Sequence, residues 1–216
     1  MKEWSVMSSY TEKEITCKLC GRSYKTRIIK GLSVTGPTGL DLDPHDYTIC
    51  DRIIVCPECG YATSGGFKEP DEKVRAAVAG KEYQELRKSS EDSRAVKSIM
   101  AAVLAETAGE YREASYDYLM AYWVLRNAGS SLADDILLKT IEAYELYLGE
   151  NQDIDSAMTY TDLLRQAGRL EEAQDTLEWL ADFIEEDSFS ADIAAYEKKL
   201  IRTGDTAPHL ISEVRA

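Results

Sequence analysis

Apolar residues recur at helical spacing over most of the chain after residue 90. One stripe runs from Leu137 through Ile141 and Tyr144 to Leu148, and a second occupies positions 170–184. Such stripes are typical of helices that bury one side against a neighbour. Glycines and short polar breaks separate the segments, so we predict helices at 92–107, 110–127, 131–149, 153–167, 170–187 and 190–203.

Helices of this length joined by short turns pack antiparallel with their sequence neighbours, so we expect helical hairpins stacked in series. A more polar helix is predicted over 71–88, where Asp71 stands near the start and Val74, Val78 and Tyr83 form a sparse apolar side. This helix would bridge the hairpins to the first part of the chain.

The first 68 residues contain short runs of β-branched residues in place of helical stripes. Thr26–Lys30 and Asp51–Val55 are predicted as strands, with turn signals at 36–39 and at Asp43–Pro44 between them. Residues 1–68 hold two Cys-x-x-Cys pairs, at positions 17–20 and 56–59, and are predicted as a small β-rich, zinc-ribbon-like domain. A bridging helix over 69–90, an all-α array of helical repeats over 91–203 and a tail over 204–216 complete the predicted division of the chain.

Acidic residues outnumber basic ones by 39 to 25, which gives the 216-residue chain a formal net charge of −14. The imbalance lies in residues 69–216, which hold 31 acidic and 16 basic side chains, against eight and nine in residues 1–68. A chain of this charge is a poor binder of polyanions. Met1–Glu14 lacks the apolar core of a secretory signal, and no run of eighteen apolar residues occurs, so we expect a cytoplasmic protein without a membrane span.

Four of the five cysteines form two Cys-x-x-Cys-Gly motifs, at residues 17–21 and 56–60, which we call the first and the second knuckle. A two-residue spacer lets both thiolates face one ion, and the following glycine permits the tight turn that aims backbone N–H groups at sulfur. In a reducing compartment such cysteines are more typical of metal sites than of disulfides. Four thiolates leave no open coordination position, so we predict a structural Zn²⁺ site. Its ligands are Cys17, Cys20, Cys56 and Cys59.

The 35 residues between Cys20 and Cys56 exceed the usual spacing of a compact zinc ribbon. We therefore expect the stretch Gly31–His45 to loop out of the metal-binding domain. Cys50 and His45 fall in this gap without a partner at knuckle spacing, and we interpret them as core or surface residues rather than ligands.

Both motifs resemble the iron-binding knuckles of rubredoxins, which read Cys-x-x-Cys-Gly and Cys-Pro-x-Cys-Gly, and Tyr24, four residues after Cys20, fits the same resemblance. Iron therefore remains the alternative metal, because both ions accept four thiolates. It would imply an electron-transfer protein. The gap between the knuckles is longer than in rubredoxins and lacks tryptophan, which favours zinc.

A basic cluster follows the first knuckle, with Tyr24 interleaved, and consists of Arg22, Lys25, Arg27 and Lys30. Zinc ribbons sometimes contact nucleic acid through such strands, so a nucleic-acid-associated factor is a further alternative. The acidic remainder of the chain favours the other interpretation, a solvated face that offsets thiolate charge.

Gly109–Ala121 and Gly168–Leu177 resemble the turn and second helix of a tetratricopeptide repeat, in which small residues let paired helices approach closely. Ala114 and Ala173 are equivalent in the two motifs, and their separation of 59 residues is not a multiple of the repeat length of about 34, so we expect an irregular array. The motif makes helix 170–187 second in its pair, whereas pairing the helices from residue 92 makes it first.

A curved helical array offers a concave face to a peptide or helix of a partner protein. The candidate contact residues are Tyr111, Tyr118, Tyr122, Trp123 and Asn127. An aromatic stripe at helical spacing is more often packing, which is the alternative interpretation of this set. The acidic surface favours a basic partner and disfavours a carboxylate clamp, which needs Lys and Arg in the groove.

Across residues 15–200 the chain resembles an uncharacterised bacterial and archaeal family with two cysteine knuckles followed by tetratricopeptide-like helices. The second knuckle, Val55–Ala62, carries most of this resemblance, which implies zinc binding and repeats but no activity. We expect no enzyme, since only His45 and His209 are present and no Ser-His-Asp set or glycine-rich phosphate loop can be assembled. The predicted function is a zinc-stabilised protein–protein interaction adaptor.

Overall fold

The computed structural model describes residues 7–33 and 36–215 as short β-hairpins followed by a series of helices. The strands are β1 Met7–Thr16, β2 Ser23–Ser33, β3 Ile54–Val55 and β4 Ala62–Thr63. The α-helices are α1 Glu72–Ala79, α2 Lys81–Leu86, α3 Ser93–Thr107, α4 Tyr111–Ala128, α5 Ala133–Glu150, α6 Ile154–Gln166, α7 Leu170–Leu180 and α8 Phe189–Thr203. Tyr47–Arg52 and Ile211–Glu213 form 3-10 helices.

The longest strands pair as an antiparallel hairpin, with Thr16 opposite Ser23 at the turn and a bulge between Ser9 and Tyr10. Only the central part of β2 was predicted. Strand β1 was missed because its sequence, Met7–Thr16, is polar at most positions and shows no apolar alternation. Long-range contacts hold it instead, including a 2.9 Å hydrogen bond from the Tyr10 hydroxyl to Asp51 Oδ2.

The predicted strand Asp51–Val55 is correct only in its last two residues. Its beginning belongs to the 3-10 helix Tyr47–Arg52, which Asp46 caps by accepting a 3.0 Å hydrogen bond from the Thr48 N–H. An Asx cap of this kind competes with extended structure, which explains why β-branched composition alone misplaced the start of the strand.

The later helices lie close to their predicted positions, with two differences. The bridging segment is broken at Gly80, whose extended backbone separates α1 from α2, as expected for a residue that weakens helices. Helix α7 ends at Leu180, seven residues before the predicted end. The residues beyond it include Glu185, Glu186 and Asp187, and negative charge is unfavourable at a helix C-terminus.

The compact units of the structure differ from the domains that the composition of the sequence predicts. The first unit contains residues 7–33 and 46–143, and the second contains 36–45 and 144–215. No boundary between compact units falls at the predicted position of 68–71, because the cysteine-rich segment packs directly on helices α3 and α4. The stretch expected to loop out is split: residues 31–33 belong to β2, residues 34–35 lie outside the described residues, and 36–45 join the second unit.

The core of the first unit lies along the hairpin of α3 and α4, which pack against each other over their length. Met100 and Leu104 of α3 face Leu119 and Met120 of α4, and all four are at most 3 % exposed. The cysteine-rich segment adds to this core through contacts of β4 and the first 3-10 helix with α3. Lys97 Nζ, on α3, also donates a 2.7 Å hydrogen bond to Asp51.

In the second unit α6 packs more extensively against α7 than α8 does, so α7 is second in its pair, as the sequence motif indicates. Arg165, on α6, is completely buried in this unit. Its Nε donates to Glu197 Oε2 at 2.9 Å, Nη2 donates to Asp162, and Nη1 donates to the backbone carbonyls of Asp205 and Ala207. The other oxygen of Glu197 has no partner. This network ties α6 and α8 to the segment that follows α8.

Residues 204–215 are therefore not a free tail. Leu210 bridges to Gly39, the His209 carbonyl accepts a 2.9 Å hydrogen bond from the Leu40 N–H, and the Ile211 N–H donates to the Thr38 carbonyl at 2.9 Å. Ala216 lies outside the described residues. Among the described helices, none combines the length and the apolar character that a bilayer crossing requires.

Candidate metal centre

The first knuckle is the turn of the β1–β2 hairpin. The Cys17 N–H donates to the Arg22 carbonyl and the Gly21 N–H donates to the Cys17 carbonyl, each at 2.9 Å. Gly21 has a φ of +75°, a left-handed conformation that a residue with a β-carbon adopts only with strain. The hairpin thus closes on a turn that places Cys17 and Cys20 on the same side.

The second knuckle repeats this geometry between β3 and β4. The Cys56 N–H donates to the Tyr61 carbonyl and the Gly60 N–H donates to the Cys56 carbonyl, again at 2.9 Å. Gly60 has a φ of +82°, and a β-carbon at this position would approach Cδ of Arg87 to 3.0 Å. Each knuckle is therefore a β-hairpin turn of the same hydrogen-bonding pattern.

The two turns bring four sulfur atoms together. The Sγ atoms of Cys17, Cys20, Cys56 and Cys59 all lie within 4.8 Å of one another. The distance from Cys17 to Cys59 is 3.7 Å, and that from Cys20 to Cys56 is 3.6 Å. A tetrahedral ion with metal–sulfur bonds of about 2.3 Å has its sulfurs about 3.8 Å apart. The cluster can hold one metal ion with four thiolate ligands.

No family model matches this chain. No curated protein and no solved structure matches it either.

Burial and backbone dipoles act differently on the individual thiols. Burial is the main cause that raises the pKa of Cys17 and of Cys59. The backbone N–H of Arg22 is the main cause that lowers the pKa of Cys20, the most exposed of the four. A cation among the sulfurs would favour the thiolate form of each ligand, and it would remove the unfavourable burial of like charges.

Side chains from α2 hold the second knuckle in place. The Tyr83 hydroxyl donates to the Gly60 carbonyl at 2.9 Å, Gln84 Nε2 donates to the Cys59 carbonyl at 3.3 Å, and Arg87 donates to the carbonyls of Glu58 and Pro57. Tyr83 was predicted only as part of the apolar side of the bridging helix, and Gln84 and Arg87 were not predicted to support the knuckle. They lie more than twenty positions after the knuckle and match no motif, so only tertiary contacts reveal them.

An aromatic cluster covers the other side of the knuckles. Tyr61 stacks on Phe67 with ring centroids 5.3 Å apart, and Tyr24 meets Phe67 edge-on at 6.4 Å. The Tyr24 hydroxyl donates to the Val55 carbonyl at 3.3 Å, which links the first hairpin to the second. Apolar cover of this kind limits access of water to the cluster.

Cys50 and His45 lie outside the four-sulfur cluster. Cys50 is fully buried in the 3-10 helix of the first unit, where burial raises the pKa of its thiol to about 11. His45 belongs to the second unit, and its backbone N–H donates to Asp43 Oδ1 at 2.7 Å. Neither residue is placed as a ligand.

The structure places the predicted partner-contact residues mostly in the core. Tyr118 and Trp123 are 1 % exposed and Tyr122 is 4 % exposed, so they offer no area to a partner in this conformation. Tyr111 is half-buried and Asn127 is exposed. The Tyr118 hydroxyl donates to Glu106 Oε2 at 2.9 Å, which gives this ring a packing role between α3 and α4.

The basic cluster is spread along the exposed β1–β2 hairpin. Glu12 stands opposite Arg27 and Glu14 stands opposite Lys25, so acidic side chains alternate with the basic ones across the strands. The Arg27 guanidinium also lies 4.1 Å from the centre of the Tyr10 ring. This arrangement forms a mixed-charge surface rather than a continuous basic stripe.

Proposed function

We propose that this protein is a zinc-stabilised adaptor in which a four-cysteine site holds two β-hairpins together and the helices bind a basic segment of another protein. The metal is proposed to be Zn²⁺, since sulfur distances of 3.6 and 3.7 Å suit a closed tetrahedral shell. Two β-hairpins whose turns carry the ligands also support a zinc-ribbon-like arrangement. Thiolate ligands require a reducing environment, which supports a cytoplasmic location.

The tetratricopeptide-like character of the helices is supported by their turns. Gly109 and Gly168 each precede a motif helix with a φ near +75°, and the residue after each glycine donates its N–H to a carbonyl five positions back. Ala114 and Ala173, five residues beyond these glycines, are both fully buried. Equivalent turns followed by equivalent small buried residues favour a common hairpin design for the α3–α4 and α6–α7 pairs.

The observation that carries the binding function is a groove of about 380 Å³ along α7, the following turn and α8. Its apolar wall includes Leu177, Ile184 and Ala194, and the charged residues Glu178, Glu186 and Lys198 also line it. Residues 171–187 contain eight acidic side chains and no basic one, and all eight are exposed. An apolar groove with acidic edges matches a segment that combines apolar and basic side chains.

Exposed aromatic residues in the same part of the chain form a second surface, where Trp179 lines a separate cavity with Tyr160 and Thr176. Trp179 and Phe183 are 37 % and 43 % exposed, and their ring centroids lie 4.8 Å apart. Large exposed rings are enriched where proteins bind partners, and they also attract cationic side chains. They replace the buried tyrosines of α4 as the candidate contact residues.

The binding proposal is tested with two labelled 15-residue amphipathic peptides, one built from leucine and lysine and the other from leucine and glutamate. Fluorescence anisotropy should detect binding of the lysine peptide only. The double variant Glu178→Lys/Glu186→Lys should weaken it, whereas Glu145→Lys/Glu150→Lys makes the same charge change on exposed residues outside the groove and should leave it nearly unchanged. Equal binding of both peptides, or equal loss in both variants, would contradict a specific groove.

The metal proposal is tested by elemental analysis and visible absorption of protein purified without added metal. One zinc per chain and no colour supports a structural site. Iron is the second candidate, favoured by the Cys-x-x-Cys-Gly pattern of both knuckles, and one iron with a red chromophore would replace the adaptor proposal by electron transfer. Absence of both metals would contradict the metal site itself.

A further inference from the structure

A polar cavity of about 470 Å³ lies in the first unit. The chain from Tyr61 to Asp71 forms one wall, and α3 together with the beginning of α4 forms the other. This volume lies within the range of pockets that bind small ligands, roughly 300–1,000 Å³. None of the predicted metal ligands lines it.

Asp117 lines this cavity and is a buried acidic residue without a hydrogen-bond partner. It is 1 % exposed, and both of its carboxylate oxygens are buried without a hydrogen-bond partner. Burial raises the pKa of Asp117 to about 7, although the Ser64 hydroxyl and the charge of Arg52 act in the opposite direction. Buried polar groups are almost always paired in native proteins, so an unpaired carboxyl group beside a cavity indicates a missing partner.

The rest of the cavity is also negative. Glu110 and Glu113 precede Asp117 on the same face of α4, and Glu69 lies on the opposite wall. Among the described residues that line the cavity, Lys68 alone is basic. Its Nζ is already bonded to Glu110 at 2.8 Å. Glu113 is exposed and Asp117 is buried, so the carboxylates extend from the solvent into the protein.

We propose that this cavity binds a small organic cation whose ammonium or guanidinium group pairs with Asp117. An extended cation fits better than a metal ion, because among the described residues no three carboxylate oxygens of different side chains gather within 4.8 Å in this cavity. The N–H groups of an amine would satisfy the two carboxylate oxygens, and Glu113 would attract a second positive group. Tyr61 adds an aromatic wall, which also favours a cation.

The inference does not depend on the proposed adaptor function, because the groove for a basic segment lies in the second unit. Loss of peptide binding in the groove variants would therefore leave the cavity proposal intact. The reverse also holds, so each proposal can fail alone.

The proposal is tested by isothermal titration calorimetry. Putrescine, spermidine and agmatine are each titrated into the 216-residue protein, purified so that it keeps its metal. The diol 1,4-butanediol, which has the length of putrescine without its charge, serves as the neutral control, and Mg²⁺ serves as the inorganic control. We expect saturable 1:1 binding of at least one of the three amines, and no binding of the diol or of Mg²⁺. Binding of Mg²⁺ with equal or higher affinity, or no binding of any amine, would overturn the proposal.

Three variants separate Asp117 from general electrostatics. Asp117→Asn keeps the shape of the side chain and should weaken the bound amine at least about 30-fold, since a buried charge loses its partner. Glu113→Gln, which is exposed and does not threaten folding, should weaken it about two- to threefold. Asp135→Asn makes the same substitution on an exposed residue outside the cavity and should change nothing. If the Asp117→Asn variant binds the amine as tightly as the unaltered protein does, Asp117 does not pair with the amine and the proposal is wrong.

Discussion

In the second unit a buried arginine is bonded to two buried carboxyl groups, whereas the buried cysteine sulfurs and Asp117 of the first unit are bonded to no cationic side chain among the described residues. Arg165 lies between Asp162 and Glu197 and is bonded to both. In the first unit, four cysteine sulfurs meet within 4.8 Å, and Asp117 has no partner for either oxygen.

This difference indicates where ligands belong. All three guanidinium nitrogens of Arg165 are bonded within the chain, which is typical of a structural element. Buried thiols and a buried carboxyl group without a counter-charge are stable only when protonated or when a cation from outside the chain is bound. The first unit is therefore expected to depend on added cations, and the second is expected to be independent of them.

Removal of the metal should give the largest effect and should be confined to the first unit. Cys56→Ser deletes one of the four proposed ligands, and structural metal sites contribute on the order of 10 kcal/mol to folding. Hydrogen exchange measured by mass spectrometry should lose protection across both knuckles while α6, α7 and α8 keep theirs. Cys50→Ser removes a buried cysteine outside the cluster and should retain the metal. Equal loss of protection in both units would contradict a metal dependence confined to the first unit.

Arg165→Met should destabilise the second unit by about 3–5 kcal/mol, because it leaves two buried carboxyl groups without their counter-charge. The control is Arg169→Met, since Arg169 pairs with the half-exposed Glu172 and such pairs contribute at most about 1 kcal/mol. Hydrogen exchange of α6, α7 and α8 at increasing denaturant concentration measures both variants within the second unit. A small effect of Arg165→Met would mean that the network is not what stabilises this unit.

The stability of the first unit should fall as pH rises from about 4 to about 7. The pKa of Asp117 is raised from near 4 in the unfolded chain to about 7 in the folded protein, so the folded state binds an extra proton in this window. The loss is at most roughly 4 kcal/mol, from three pH units at about 1.4 kcal/mol each. Asp117→Asn should flatten the profile in hydrogen exchange of α4, whereas Asp135→Asn should not.

The sign of that dependence separates this acid from an ion-paired one. A carboxyl group whose pKa is lowered by a cation stabilises the fold more at higher pH. Addition of an amine that binds Asp117 should therefore weaken or reverse the fall in stability above pH 6. A profile that rises with pH without any added amine would mean that Asp117 is ionised and paired with a cationic group in the folded protein.

Lys68→Ala should have the smallest effect, below about 1 kcal/mol, because Lys68 and Glu110 are both substantially exposed. Lys88→Ala removes a similarly exposed pair with Glu85, away from the cavity, and should match it. Thermal unfolding of the two variants provides the comparison. A much larger loss for Lys68→Ala would mean that this lysine already neutralises the cavity.

The knuckles and the helices could be predicted well because their signals are local. Cys17 and Cys20 are separated by a short spacer, and Gly21 and Gly109 adopt the left-handed conformation that ends a turn or helix. The hairpin β1–β2, by contrast, could not be found from Met7–Thr16 alone, since the strand is held by pairing with β2 and by Asp51.

The amino-acid sequence by itself determined the two cysteine motifs, most helix limits and the acidic character of the helical part, because each depends on neighbouring residues or on composition. Only the tertiary structure decided that Tyr118 and Trp123 are core, that residues 36–45 join the second unit, and that Asp117 stays unpaired while Arg165 is fully paired. Burial and charge pairing arise between residues far apart in the chain. Their outcome is set by packing, which one-dimensional patterns do not encode.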